Sequence, residues 1–138
     1  MKEELINKID QLGGMSSKFD ILVSIDDFFE ANDICGSFAA NACDTNLDVK
    51  EFYSIFKMIE AMDKVQEVWI MITDIDEEWP YSDTALIALS SEISNEEVNK
   101  WFGDGFPNEI QVLDIEKEKT ICIPNLKEGY KLLYLWWD

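Results

Sequence analysis

Carboxylates are the only abundant side chains in this sequence that could do chemistry. The 138 residues include 29 Asp and Glu, 11 Lys, no Arg and no His, which gives a net charge of −18. Without His, the Ser-His-Asp and Cys-His types of nucleophilic centre are excluded. The sequence also lacks a phosphate-binding glycine loop. We therefore predict a protein that is not an enzyme, with no catalytic residues, cofactor or metal site. The alternative is a carboxylate-dependent hydrolase or a metal-binding enzyme, because carboxylates serve glycoside hydrolysis and bind Mg²⁺ and Ca²⁺.

An acidic loop around one tryptophan is the strongest candidate for a binding site. It lies within EVWIMITDIDEEWPYSDTALIALSS (67–91), and no Lys occurs between positions 65 and 99. An aromatic anchor surrounded by charge is typical of a protein-binding hot spot. The candidate partner-binding residues are Asp74, Asp76, Glu77, Glu78, Trp79 and Asp83. A second acidic cluster is the alternative surface and comprises Asp26, Asp27, Glu30 and Asp33.

The charge also indicates the kind of partner. A strongly acidic protein repels nucleic acid and anionic membrane surfaces, and it attracts cations. We expect a basic protein partner, no nucleic acid and no membrane. The alternative is that the acidic surface only keeps the protein in solution.

Cysteine usage and hydropathy predict a location. Cys35, Cys43 and Cys122 show no CxxC spacing, so we expect free thiols in a reducing compartment. No apolar run approaches the roughly 18 residues that span a bilayer, and the charged N-terminus does not resemble a signal peptide. These features predict a cytoplasmic protein.

Hydrophobic periodicity and capping residues divide the chain into elements. Asp48 with Glu51, and Ser94 with Glu97, have the spacing of capping boxes at helix starts. The predicted helices are 2–12, 47–64 and 94–102, with one or two further turns over 25–30. The predicted strands are 19–24, 68–73, 84–90 and 130–137, with a weaker candidate at 109–115 and an irregular connection over 32–46.

This order predicts one α+β domain over residues 1–138, with an antiparallel sheet and helices on one face. The main strands and helices follow the βαββαβ, ferredoxin-like order after an N-terminal helix. The alternative is a longer antiparallel meander with flanking helices.

The strands are apolar on both faces, which predicts that the second sheet face is also covered. Val68, Ile70 and Ile72 suit packing under the helices. The expected cover of the other face is the N-terminal helix or residues 31–46. The alternative is that the face forms a homodimer or docks a partner, through Trp69, Met71, Leu86 and Trp137.

Four segments resemble a family of small acidic bacterial proteins, the immunity partners of polymorphic or contact-delivered toxins. They are SIDDFFEAND (24–33), FYSIFKMIE (52–60), WPYSDT (79–84) and LWWD (135–138). The resemblance implies an immunity protein that neutralises a basic toxin, such as a nuclease, by occluding its cationic site. The chain departs from the family pattern at Ala31, where Gly is usual, and at ICGSFAANAC (34–43), which replaces a more acidic stretch.

Overall fold

A five-stranded antiparallel sheet is the centre of the fold. The computed structural model describes residues 2–43, 47–75, 78–121, 123 and 125–138. The sheet order is β1-β2-β3-β5-β4, and each pair of neighbouring strands is antiparallel. The predicted α+β class with an antiparallel sheet is confirmed. The strands are β1 (Ile21–Ser24), β2 (Val65–Ile72), β3 (Thr84–Ser90), β4 (Glu109–Leu113) and β5 (Tyr130–Trp136).

Side-chain caps begin three of the helices, two of them at the predicted residues Asp48 and Ser94. The Asp48 side chain accepts a hydrogen bond from the Glu51 N–H at 2.8 Å in a complete capping box. Ser94 caps its helix in the same way at the Glu97 N–H, and Ser24 does so at the Asp27 N–H. The helices are α1 (Lys2–Gln11), α2 (Ile25–Phe29), α3 (Ala40–Cys43), α4 (Val49–Glu60) and α5 (Asn95–Trp101), followed by a 3₁₀ turn (Gly103–Gly105).

The strand order differs from the interleaved order of a ferredoxin-like sheet. The chain leaves β1, runs along α2, and reaches the far end of the sheet, where Phe38 forms a bridge to Ser82. Helix α4 then brings the chain back, so β2 starts at the end where β1 finished and pairs with it antiparallel. A single crossing helix would have made this pair parallel. The predicted meander is closer to the observed order, except that β5 inserts between β3 and β4.

An aromatic cluster fills the core between the sheet and its helices. Trp137 has no exposed surface, and its ring centroid lies 5.3 Å from those of Phe38 and Phe102. The Trp137 Nε1–H donates to the Gly105 carbonyl at 2.8 Å. The inward positions predicted for β2, at Val68, Ile70 and Ile72, are confirmed within this core.

The second sheet face is covered by the connection between β4 and β5. Ile121 and Ile123 of this connection pack with Met71 and Leu86 in a separate apolar cluster. The Gln66 side chain donates to the Asn125 carbonyl at 2.6 Å and so ties the connection to β2. The prediction of a covered face is confirmed, but neither the N-terminal helix nor the described part of residues 31–46 belongs to the cover.

One of the four residues predicted to dock a partner on this face, Trp137, does not lie on it. Successive residues of an extended strand point to opposite faces, and Trp137 follows Leu135 and Leu133 into the helix-side core. Trp69, Met71 and Leu86 do belong to the second face, where they pack with the covering connection.

Cys35 is disulfide-bonded. The prediction of free thiols is therefore wrong for this residue, and its partner sulfur lies outside the described side chains. Over the part of the chain that the structure describes, no helix combines the length and the apolar character that a bilayer crossing requires.

Candidate functional site

A pocket opens where α1, α2 and the loop between β2 and β3 meet. Its volume is about 310 Å³. It combines four carboxylates with apolar and aromatic walls, and no lysine is among the described residues that line it. The lining residues are Glu4, Leu5, Asp26, Asp27, Glu30, Ala31 and Trp79.

The buried residues of α2 determine where its acids point. Ile25, Phe28 and Phe29 are buried in the core. At helical spacing the intervening positions then face outward, which puts Asp26, Asp27 and Glu30 on one side of the pocket.

Helix α1 supplies the opposite wall. It buries Leu5 and Ile9 against the core, and this packing holds Glu4 beside the acids of α2. Glu4 and Leu5 are not among the site residues predicted from the sequence. The amphipathic pattern of α1 predicts which face is buried, but it does not say which element that face meets.

Trp79 joins the two predicted surfaces in one site. It is 5% exposed and belongs to the helix-side core, so it forms part of a wall and does not protrude as an anchor. Its Nε1 is buried, and it has no hydrogen-bond partner among the described residues. A buried N–H group without an acceptor destabilises the fold, because it loses its hydrogen bonds to water and gains none in return.

Four of the other predicted acids lie outside this pocket. Asp74 is exposed, and its carboxylate accepts from the Ile75 N–H at 2.8 Å. Asp83 accepts from the Thr84 hydroxyl at 2.9 Å. Glu78 lines a separate small pocket of about 100 Å³, and Asp33 lines neither. Two of the predicted acids lie outside the described residues, namely Asp76 and Glu77.

The WPYSDT segment fixes the position of the pocket wall. Ser82 is fully buried. Its hydroxyl donates to the Met71 carbonyl at 2.5 Å, and its backbone exchanges hydrogen bonds with Ser37 and Ala39. These bonds hold the loop to the end of β2 and to the segment that follows α2. Trp79 is therefore positioned from two sides.

Asp26 is held by two side chains of α4. It accepts hydrogen bonds from the Tyr53 hydroxyl at 2.8 Å and from the Lys57 ammonium at 3.2 Å. The bond from Tyr53, followed by that from Lys57, lowers the pKa of Asp26. Burial and the Asp26 carboxylate raise the pKa of Tyr53 from 10.0 to about 12.

Replacing Tyr53 with phenylalanine is expected to raise the pKa of Asp26, because the largest cause of its depression is removed. A lowered carboxyl pKa stabilises the fold above the unfolded-state pKa, and this stabilisation is lost as the pH falls through the folded-state pKa. A raised tyrosine pKa stabilises the fold below the unfolded-state pKa. The stabilisation from Tyr53 is therefore lost as the pH rises from 10 to about 12. Carboxyl NMR titration measures the first effect, and urea unfolding between those pH values measures the second.

Between pH 10 and 12, the free energy of unfolding of Tyr53→Phe should therefore fall less than that of the native protein. An unchanged Asp26 titration in this variant would show that the hydrogen bond does not set the pKa.

The described residues contain no group of three or more Asp, Glu or Cys side chains that could hold a metal ion. The pocket acids are thus arranged around a space and do not converge on one point.

The comparisons with known proteins place the chain in a family. The model of the Uncharacterized protein YfbO family matches residues 1–135. The chain belongs to the YfbO family. A curated relative, the Uncharacterized protein YfbO of Escherichia coli strain K12, is 34% identical over 82 residues. The match covers 59% of this chain and 56% of that relative, so the chain spans just over half of the relative's length. No solved structure matches. The YfbO family match includes every residue that lines the pocket.

Proposed function

We propose that this YfbO-family chain is an acidic binding protein that docks a basic protein, and that it acts as an immunity protein against a bacterial toxin. The observation that carries the proposal is the pocket, where carboxylates from α1 and α2 surround a site walled by Trp79. A concave site that combines an aromatic wall with several like charges is suited to an oppositely charged partner.

The charges around the pocket favour association with a basic surface. Two of the pocket acids form ion pairs, Asp26 with Lys57 at 3.2 Å and Asp27 with Lys8 at 4.0 Å. Both lysines are about half exposed and belong to surface pairs, which contribute little to stability. A basic partner can therefore displace them at small cost, and the net charge of −18 accelerates its approach.

The immunity role is supported by the resemblance of the SIDDFFEAND, WPYSDT and LWWD segments to toxin-neutralising proteins. Many toxin nucleases must bind phosphates through a cationic surface, and carboxylates can occupy such a surface in the place of phosphates. The first of these segments contains α2 and its C-cap, and it contributes three of the four pocket acids, Asp26, Asp27 and Glu30.

Co-expression with the product of the neighbouring gene tests this proposal. We expect a stable complex on size-exclusion chromatography and rescue of cells from the toxicity of that product. The association rate constant should fall steeply between low and physiological salt, because screening shortens the range of charge attraction to about 10 Å at 0.1 M. Absence of both complex and rescue at low salt would contradict the proposal.

The proposed place of action is the cytoplasm. The Cys35 disulfide weighs against it, because cytosolic thiols are usually kept reduced. Fractionation of cells that express the tagged protein, with thiol labelling in each fraction, decides between the cytoplasm and an oxidising compartment.

A further inference from the structure

We propose that the β4 edge of the sheet binds a second copy of this chain. In this arrangement β4 of one copy pairs antiparallel with β4 of the other, and two five-stranded sheets become one sheet of ten strands. The inference goes beyond the proposed function, because the interface is remote from the acidic pocket. Helices α1 and α2, which form the pocket, contact β1 at the opposite end of the sheet.

The two edges of the sheet differ. β1 forms one edge, and the connection between β4 and β5 is tied to the start of this strand. The Asp20 N–H donates to the Thr120 carbonyl at 2.7 Å, and the Thr120 hydroxyl donates to the Asp20 carboxylate at 2.7 Å. β4 forms the other edge, and among the residues that the structure describes no strand lies beyond it. Alternate residues of an edge strand turn their N–H and C=O groups outward, so β4 can accept a further strand.

The side chains of β4 favour the addition of a strand. Native edge strands are often protected by lysine or proline, and Glu109–Leu113 contains neither. Val112 is 56% exposed, as much as any large hydrophobic side chain among the described residues. Ile110 and Leu113 are partly buried, the first against the helix-side core and the second against the cluster of the other sheet face. A strand beyond β4 therefore gains apolar contacts on both faces.

The sequence of β4 is complementary to its own copy. Two strands of this length overlap completely only when Gln111 lies opposite Gln111 of the second copy. Ile110 then faces Val112 at two symmetry-related places, and Glu109 faces Leu113. No carboxylate lies opposite another, so the pairing avoids the repulsion of like charges across the ladder. The Gln111 side chain also donates to the Glu109 carboxylate within each strand.

The charge distribution indicates where two such acidic chains can meet. Residues 1–99 carry six Lys and 22 Asp or Glu, a net charge of −16, whereas residues 100–138 carry five Lys and seven Asp or Glu, a net charge of −2. β1 belongs to the first segment, and β4 belongs to the second. A basic partner is attracted to the first segment, and a second acidic copy is repelled by it. The β4 edge is thus the one that favours a second copy.

Analytical ultracentrifugation over a range of protein concentrations tests this inference. We expect a dimer whose dissociation constant falls as the salt is raised from about 0.01 to about 0.15 M, because screening reduces the repulsion between two chains. Each chain has a net charge of −18. Docking of a basic partner has the opposite salt dependence. A monomer at every concentration and salt would overturn the inference.

A matched pair of variants locates the interface. Gln111→Lys places two lysines opposite each other in the dimer, and Gln11→Lys makes the same change at an exposed position of α1. The first variant should weaken dimerisation about fivefold or more, because like charges directly opposite destabilise a strand pair. The second should not weaken it. Equal dissociation constants for the two variants would overturn the inference. Far-UV circular dichroism confirms that each variant is folded.

Cysteine cross-linking tests the register. Opposite residues of antiparallel strands have Cα atoms about 4.5–5.5 Å apart, which a disulfide can span. Gln111→Cys should therefore form a covalent dimer when it is oxidised with diamide. Glu109→Cys should not, because the same residue of the second copy lies four positions along the ladder, at about 14 Å. The native protein, with its own three cysteines, gives the background. Equal linking of the two variants would overturn the pairing.

A strand of another protein at this edge is a further outcome of the same measurements. If the native protein stays monomeric and Gln111→Lys, unlike Gln11→Lys, no longer binds the basic partner, then β4 docks that partner and the inference of self-pairing fails. If the native protein dimerises through β4 but binds no basic partner, the proposed function fails on its own.

Discussion

Replacing Trp137 with alanine is expected to lower the free energy of unfolding by about 3–5 kcal/mol, the range for removing a large aromatic side chain from a core. Trp137 has no exposed surface. Its ring contacts Phe38 and Phe52 at centroid distances of 5.3 and 5.6 Å. Alanine would leave a cavity at the point where the sheet meets α4, and the Gly105 carbonyl would lose its donor. Urea unfolding followed by far-UV circular dichroism measures the loss.

The neighbouring residue provides a matched control. Trp136 has the same side chain, but it is partly exposed. Trp136→Ala should therefore cost clearly less than Trp137→Ala. Equal losses in the two variants would show that the alternation of faces along β5 is not as the structure has it.

Replacing Phe38 with alanine is the second large expected effect, again about 3–5 kcal/mol. Phe38 is fully buried, and its ring lies 4.9 Å from that of Phe52 and 5.5 Å from that of Phe29. It also forms the bridge to Ser82 that brings the chain to the far end of the sheet. Its loss removes the main apolar contact of the segment between α2 and α3.

Phe106→Ala is the control for this variant, because Phe106 is 56% exposed, and substitutions at such positions usually change stability by at most about 0.5 kcal/mol. Phe38 and Trp137 are in contact, so the double variant should lose less than the sum of the two single losses. Strict additivity in the double variant would argue that the two rings do not share one cluster.

Local signals in the sequence predict the elements well. Asp48 and Ser94 mark two helix starts because a side-chain acceptor three residues before a free N–H is a short-range requirement. The alternation in β2 predicts which of its residues face the helices, since the period of a strand is two. These predictions depend on neighbours in sequence, and the structure confirms them.

The strand order could not be predicted from neighbours in the sequence. It depends on Phe38, a single apolar residue in a stretch without periodicity, whose contact with Ser82 spans more than forty positions. The cover of the second face likewise depends on Ile121 and Ile123, two apolar residues in a connection whose described residues form neither helix nor strand.

Several residues of the candidate site are predictable from the sequence, but their meeting in one pocket is not. From the sequence, Trp79 and the acids at α2 belong to two alternative predicted surfaces. Only the packing of α1 and the hydrogen bonds of Ser82 bring them to one pocket. Asp74 and Asp83 are predicted from their charge alone, and one oxygen of each carboxylate accepts a local hydrogen bond.

The position of β5 has a consequence for how the protein folds. β4 precedes β5 in the chain, yet β5 is its one neighbour in the sheet. β4 and the free edge of β3 therefore remain unpaired until β5 inserts between them. Unpaired strand edges are sites of intermolecular association, and pairings between distant segments form slowly. Before β5 has paired, other chains can bind the free edge of β3. β5 thus competes with other chains for that edge during synthesis.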